Sequence, residues 1–330
     1  MAALGTGSLT LADIAKTLDP NGAQARIIEL LNQTNDLLTD MTWMEGNLPT
    51  GHRTTVRTQL PTVAARLLNA GTSPSKSHST QIDEQCALFD AWSQIDVKIA
   101  ELSGNPSAAR LSEARAFLEA MNQKIAATLI YGAATTPSEF VGFAARTASL
   151  SGSNSDQVIS ASGSGSDNTS IYLVAWDPET VCGIYPKGSV AGLNHEDLGV
   201  DTVENAGGVT GALMRAYRDH WTWDCGVAVK DYRYLLRICN IDVSDLAGGS
   251  PADLIDKMEE AQEKLPNRLG RSVFYMNRTV RRFLRKQYRT DVSSGGGLTY
   301  ETVSGKTVTM FGDTPVRIVD AILNTEAAVA

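Results

Sequence analysis

The sequence lacks the features that mark membrane-spanning, secreted and thiolate-bound metal proteins. Only four of its 330 residues are cysteine and none forms a C-x-x-C pair, so neither a disulfide framework nor a zinc knuckle is indicated. The longest apolar runs, such as Ala126 to Ile130, fall far short of the roughly 20 residues that cross a bilayer. Met1 to Leu18 lacks the basic start and apolar stretch of a secretory signal, so we expect the chain to fold in a cytoplasm, without a membrane partner.

Basic residues are also scarce, because 29 Lys and Arg stand against 37 Asp and Glu and give a net charge of −8. A negative net charge excludes a protein that binds nucleic acid over its whole surface, so any DNA contact must be local. Eight basic residues and no acid lie between Arg268 and Arg289, directly after an acidic segment from Asp253 to Glu263. We expect these segments to pair their charges within or between subunits; a contact with DNA or an acidic partner is the alternative.

Motifs for catalysis are missing or incomplete. Gly305 to Thr307 ends like a phosphate-binding loop, but Tyr300 stands where that loop requires glycine. The sequence has no G-x-S-x-G elbow and no H-x-x-x-H or H-E-x-x-H pair. A hydrolase or nucleotide-binding enzyme therefore remains only a distant alternative.

Two further residue pairs invite a functional reading, and we expect both to be structural. His220 and Cys225 supply two ligands at most, so a structural histidine and a buried thiol are the simpler interpretation. Trp221 and Trp223 are two residues apart and would share one face of a strand, which favours a place in the core over a ligand platform.

A long hairpin is predicted between Gly46 and Leu102. Arg53 to Leu60 is rich in β-forming residues, a polar turn follows from Asn69 to Thr80, and a second extended stretch begins at Gln81. Neither face of the first stretch is strongly apolar, so it cannot be the centre of an ordinary sheet. Because an isolated two-stranded ribbon is marginal in water, we expect the hairpin to lie on another subunit.

The clearest helical pattern runs from Ser107 to Tyr131. Its apolar residues recur at steps of three and four, and Gly132 follows where a helix-ending glycine is common. The repeat comprises Leu111, Ala114, Leu118, Met121 and Ile125. We expect a straight helix of about 37 Å whose apolar stripe packs into the core.

The rest of the chain predicts a mixed α+β fold. Two short amphipathic helix patterns before Asp40 suggest a jointed arm. Ser149 to Ser170 is dominated by serine and glycine and is typical of a surface loop. Alternating residues predict antiparallel strands with one wet face at Ile171–Trp176, Val181–Tyr185, Gly211–Trp223 and Gly226–Ile241. The pattern then turns helical, and a closing hairpin is predicted from Thr299 to Leu323.

Taken in order, these parts resemble the major capsid proteins of tailed bacteriophages, which share the HK97-like shell fold. The segments that carry the resemblance are MEGNLPTGHRTTVRTQLPTVAARLL (44–68), ATLIYG (127–132), FVGFA (140–144), SVFYMN (272–277) and FGDTPVRIVD (311–320). Here the β region precedes the helical lobe, whereas the usual order of this family is the reverse. The chain therefore resembles the topologically permuted variant of Bordetella-type podophages.

The resemblance implies a division of the chain into five parts. These are an N-terminal arm (1–45), an extended loop or E-loop (46–102), a peripheral domain (103–245) with a spine helix (107–131), an axial domain (246–298) and a C-terminal hairpin (299–330). It also implies a non-enzymatic subunit that assembles into an icosahedral head shell around double-stranded DNA, with no catalytic residue, cofactor or metal. An encapsulin-like nanocompartment shell of the same fold is the alternative, and a nucleic-acid-binding module is another.

Partners follow from the same resemblance. We expect copies of the chain in hexamers and pentamers of a T=7 shell, a portal protein at one vertex, a separate scaffolding protein, a cement or decoration protein, and weak contact with packaged DNA. The expected location is the virion, after assembly in the host bacterial cytoplasm. The candidate inter-subunit contacts are Arg53, Arg57, Arg66, Lys76, Arg281, Arg282 and Arg285, and Lys76 is also the candidate for a Lys–Asn isopeptide cross-link.

Overall fold

The computed structural model describes residues 33–102, 104–152, 154–204, 213–248, 251–266, 270–290, 298–303 and 306–330. The two amphipathic patterns of the arm lie mostly outside these residues, as do Arg268 and Gly305. The helices are α1 (Leu37–Asp40), α2 (Val97–Leu102), α3 (Pro106–Tyr131), α4 (Phe143–Arg146), α5 (Val243–Ala247), α6 (Leu254–Glu263) and α7 (Arg278–Thr290), with short 3₁₀ turns at Ser155–Gln157 and Tyr232–Tyr234.

The strands form a mixed sheet that runs the length of the described chain. Their bounds are β1 (Trp43–Glu45), β2 (Gly51–Gln59), β3 (His78–Asp96), β4 (Val158–Ser160), β5 (Asn168–Trp176), β6 (Val181–Tyr185), β7 (Asn194–Glu204), β8 (Leu213–Val229), β9 (Leu235–Asp242), β10 (Arg271–Met276), β11 (Leu298–Val303), β12 (Lys306–Phe311) and β13 (Thr314–Ile318). The main path is β11-β12-β13-β10-β5-β6-β8-β3-β2, and β9 pairs with both β4 and β5. The α+β prediction is confirmed.

The spine helix α3 confirms the strongest sequence pattern. The side chain of Asn105 caps it by accepting a hydrogen bond from the Ala108 N–H at 3.2 Å, and Pro106 occupies the first turn. Gly132 ends it with φ −51°, which is not left-handed. A Cβ at this position would lie 2.2 Å from the Phe140 carbonyl oxygen, so close backbone approach requires the glycine there.

The predicted core stripe of α3 is only half right. Ile125 is fully buried, but 57% of Leu111 and 40% of Leu118 remain exposed. In the first half of the helix the core-facing residue is instead Phe117, which stacks on Trp221 at a centroid distance of 5.2 Å. Leu118 and Phe117 both fit the three-and-four spacing, and the aromatic partner on the sheet selects Phe117.

The prediction of a wet face between Ile171 and Ile241 is wrong for strands β5 and β9. All nine residues of β5 are buried. Tyr172, Val174 and Trp176 pack in the core beneath α3, whereas Ile171 and Leu173 join a second core formed with α6 and α7. Helices therefore cover both faces of β5, which explains its nearly continuous apolar sequence.

The serine-rich stretch is also less of a surface loop than predicted. Val158–Ser160 forms β4 and pairs in parallel with β9. Asn168, Thr169 and Ser170 are fully buried at the start of β5. Their side chains are small and polar, and the Asn277 side-chain amide donates a hydrogen bond to Thr169 Oγ1 at 2.8 Å.

The closing hairpin is confirmed and belongs to the lobe of the second core. β12 and β13 pair through a turn at Gly312, whose φ of +58° suits glycine. β13 also pairs in parallel with β10, and β10 pairs with β5. The helical lobe and the central sheet are thus joined by continuous strand pairing.

Candidate assembly surfaces

The extended hairpin formed by β2, residues 60–77 and β3 is the most exposed part of the described chain. β2 pairs with the first part of β3 from Gly51↔Gln85 to Gln59↔His78. Residues 60–77 have no regular structure, and their apolar side chains face solvent, with Val63 92% and Leu68 94% exposed. A single subunit does not bury them, so this surface fits the predicted contact with another subunit.

The root of the hairpin is fixed to the body by a buried ion pair. Arg146 of α4 donates to both Glu84 carboxylate oxygens, at 2.7 and 2.5 Å. Only 16% of the Arg146 side chain and 8% of the Glu84 side chain are exposed. The pair lines a cavity of about 180 Å³ between the hairpin and the body, together with Val56 and Leu235. This bidentate pair joins the root of the hairpin to α4.

Among the candidate contact residues on the hairpin, Arg53 already has a partner. Its guanidinium makes two 2.6 Å hydrogen bonds with Asp83 on β3, which raises the pKa of Arg53 and lowers that of Asp83. Arg57, Arg66 and Lys76 are exposed along the hairpin. In the single subunit these three charged side chains therefore face solvent.

The remaining candidates lie on a different element. Arg281 and Arg285 of α7 donate to Thr309 Oγ1 of β12, at 3.2 and 3.1 Å, and Arg282 lies 4.8 Å from the ring of Phe283. The structure therefore divides the seven candidates between the hairpin and the helical lobe. In the preceding acidic helix, Glu260 pairs with Lys257 at 3.2 Å and with Lys264, which directly follows the helix, at 3.3 Å, so its charge is satisfied locally.

The residues considered for chemistry have structural surroundings. His220 contacts Asp90 at 2.7 Å and stacks on Trp92 at 3.9 Å. Burial raises the pKa of the Cys225 thiol. Within the described ranges, no three His, Cys, Asp or Glu side chains are grouped to hold a metal ion.

The two tryptophans of β8 confirm the core prediction in different degrees. Trp221 is 3% exposed, lies against Phe117 and stacks on His195 at 5.0 Å. Trp223 is half-buried and packs on Trp43 at 6.3 Å.

Lys306, of the incomplete phosphate loop, begins strand β12, whereas a phosphate-binding loop leads into a helix.

Sequence reasoning missed the strand β7. It pairs with β8 from Asn194↔Thr222 to Glu204↔Leu213, with a bulge between Asp197 and Gly199. Its exposed acids are Glu196, Asp197, Asp201 and Glu204. Two are held by arginines of the same subunit, Asp197 by Arg110 at 2.6 Å and Asp201 by Arg218 at 2.9 Å, and these contacts lower both carboxyl pKa values.

A weak signal for β7 does exist in the sequence. Residues 188–214 contain four acids and no lysine or arginine, which marks a distinct surface rather than a core strand.

No helix among the described residues has the length and apolar character of a membrane span.

A spine helix across one face of the sheet, a lobe on the other and a long rooted hairpin together define the HK97-like class of shell proteins. The chain belongs to the family of major capsid protein GP7, which matches residues 19–330. It is a structural subunit of a bacteriophage head shell and a component of the virion. No curated protein matches it significantly by sequence.

One solved structure supports this assignment. A chain in the near-atomic structure of bacteriophage Epsilon15 is 35% identical, with a TM-score of 0.77 over 100% of this chain and 99% of that one. The capsid of bacteriophage JBD30 is 9% identical with a TM-score of 0.47, covering 95% and 99% of the two chains. The SrpI encapsulin of Synechococcus elongatus is 13% identical with a TM-score of 0.45, covering 71% and 97%. The last two similarities are too distant to bear on function.

Proposed function

We propose that the chain builds an icosahedral head shell of hexamers and pentamers, without enzymatic activity, and that its extended hairpin carries the main contact between neighbouring subunits. The observation that supports this role is the exposed apolar set on residues 60–77, which one subunit leaves in water. The division of the chain at residues 46, 103, 246 and 299 and the permuted threading are part of the proposal.

Finer features of the shell are proposed with it. They are the T=7 geometry, a portal at one vertex, a separate scaffolding protein, a cement protein, and weak DNA contact through the arm or Arg281, Arg282 and Arg285. A covalent link through Lys76 would require an asparagine of a neighbouring copy beside the hairpin. Each modest contact would repeat around a closed shell, so small interface energies add to a stable container.

Assembly itself is the decisive test. The chain would be expressed alone and together with neighbouring phage genes, then examined by negative-stain electron microscopy and sedimentation velocity. Uniform polyhedral particles or capsomer rings are expected. A monomer or dimer that persists with the candidate scaffold present would contradict the proposal. Particles that enclose a protein cargo instead of DNA would favour the nanocompartment alternative.

A further inference from the structure

Charge is segregated between two segments of this acidic chain. Residues 46–82, here called the basic segment, contain four Lys and Arg and no Asp or Glu. Residues 188–214, which include strand β7, contain four Asp and Glu and no Lys or Arg. In a protein with a net charge of −8, such an acid-free segment implies a specific acidic surface to meet it.

Each segment contains a strand with one unpaired edge. β2 pairs with β3 along one side, and β7 pairs with β8 along one side, with no second neighbour for either among the described residues. All but two residues of β7 are exposed, including 38% of Leu198 and 38% of Val200. Open edges with exposed apolar side chains are surfaces on which another chain can dock.

One subunit does not bring Arg57 of its basic segment to Glu196 of its own β7. β3 is continuous for 19 residues, and Arg57 of β2 lies opposite Ser79 near its start. β7 lies beside the other end, because Glu196 is opposite His220 and His220 is opposite Trp92 of β3. The 13 residues from Ser79 to Trp92 correspond to about 43 Å of strand, so the contact requires a second copy.

We propose that the acidic edge β7 of one subunit is the docking site for the basic segment of a neighbouring copy. Glu196 and Glu204 are the recognition charges, because no hydrogen bond or ion pair within the described chain engages their carboxylates, whereas Arg110 and Arg218 hold Asp197 and Asp201. Arg57 and Arg66 are the charges they meet. The inference rests on the proposed shell function and specifies one interface of it.

A charge exchange tests the inference. Glu196→Lys with Glu204→Lys is expected to lower the yield of shells at least tenfold, and Arg57→Glu with Arg66→Glu to do the same. All four substitutions together should restore most of the yield, because the attraction is re-formed with its signs exchanged. Asp156→Lys with Glu179→Lys is the matched control, since it changes the net charge equally at exposed positions elsewhere and should assemble normally.

The outcomes separate this inference from the shell function. If the unaltered chain forms shells and the β7 variant does so equally well, the inference is wrong and the shell function stands. Failure of the fourfold variant to recover, with each double variant folded by circular dichroism, also overturns it. If the unaltered chain never assembles, the shell function itself fails.

Cross-linking of unaltered shells gives a second measurement that needs no variant. A zero-length carbodiimide reagent joins an amine to a carboxylate in contact, and Lys76 is the lysine of the basic segment. Peptides that join Lys76 to a carboxylate of residues 194–204 are expected in shells and absent from free subunits. Coupling of Lys76 only to other acids, or to none, would overturn the inference.

Discussion

The centre of the sheet and the extended hairpin differ in how much of their apolar surface a single subunit buries. Every residue of β5 is buried, with its side chains shared between two cores. In the hairpin, residues 60–77 are exposed throughout and include leucines and a valine. The first region stabilises the subunit by itself, whereas the second can be stabilised only by neighbours. A substitution should therefore affect either folding or assembly, according to the region in which it falls.

The largest loss of subunit stability is expected from Arg237→Met. Arg237 of β9 and Glu326 form a 2.9 Å ion pair whose side chains are 5% and 6% exposed. Removing one partner leaves the other charge buried and unpaired, which costs about 3–5 kcal/mol. Urea unfolding of the free subunit measures the change. Arg233→Met, at an exposed pair with Asp231, is the control and should cost less than about 1 kcal/mol.

The same substitution at one buried and one exposed leucine tests the difference between the two regions. Leu129 of α3 is 1% exposed and Leu68 of the hairpin is 94% exposed. Leu129→Ala should lower the free energy of unfolding by about 2–5 kcal/mol, because it opens a cavity in the core. Leu68→Ala should leave unfolding unchanged and reduce shell yield, measured by sedimentation. Equal effects of both substitutions on unfolding would remove the distinction between the two regions.

The junction between the regions is expected to respond locally. Arg146→Met leaves Glu84 without its bidentate partner, so the root of the hairpin should open more easily, by about 1–3 kcal/mol. Hydrogen exchange should become faster at the amides of residues 78–85 and stay unchanged in α3. Arg53→Met, at the exposed pair with Asp83, is the control. Uniform acceleration across both elements would show that the ion pair stabilises the whole subunit instead.

The smallest effect concerns the pH dependence of β7. Hydrogen bonding to Arg110 lowers the folded-state pKa of Asp197 below its ordinary 3.8. The contact therefore stabilises the subunit above that ordinary value, and the stabilisation is lost as the pH falls through the lowered pKa. Because Asp197 is exposed, the gain is at most about 1 kcal/mol. Asp197→Asn should abolish this part of the difference in unfolding free energy between pH 5 and pH 2; an unchanged profile would contradict it.

Local patterns predicted the elements, while long-range packing decided their surroundings. Ser107 to Tyr131 was predictable because one helix repeats its own spacing and cap. The burial of both faces of β5 was not, because the two covering layers come from α3 and from the lobe of α6 and α7, which lie far away in sequence. The choice of Phe117 over Leu118 likewise depended on Trp221, about a hundred residues away in the chain.

The sequence predicted that the hairpin needs a partner, but it did not predict the exposed strand β7. Absence of a strong apolar face identified the hairpin as a segment in need of a partner. β7 escaped notice because its strand-forming residues are interrupted by Gly199 and by acids, and because residues 205–212, which join it to β8, lie outside the described residues. The sequence alone shows that residues 46–82 carry only basic charges and residues 188–214 only acidic ones. The distance between Arg57 and β7 follows only from the register in which β3, β8 and β7 pair.

The continuity of β3 also has a mechanical meaning. Its first part belongs to the hairpin, and its second part is paired with β8 over eleven residues, from Cys86↔Gly226 to Asp96↔Ala216. Tension applied at the tip acts along the strand and loads these backbone hydrogen bonds in shear, so that many must break together. A container pressurised from inside would therefore pass its load between subunits through the hairpin into the body of each sheet, with no flexible joint between them.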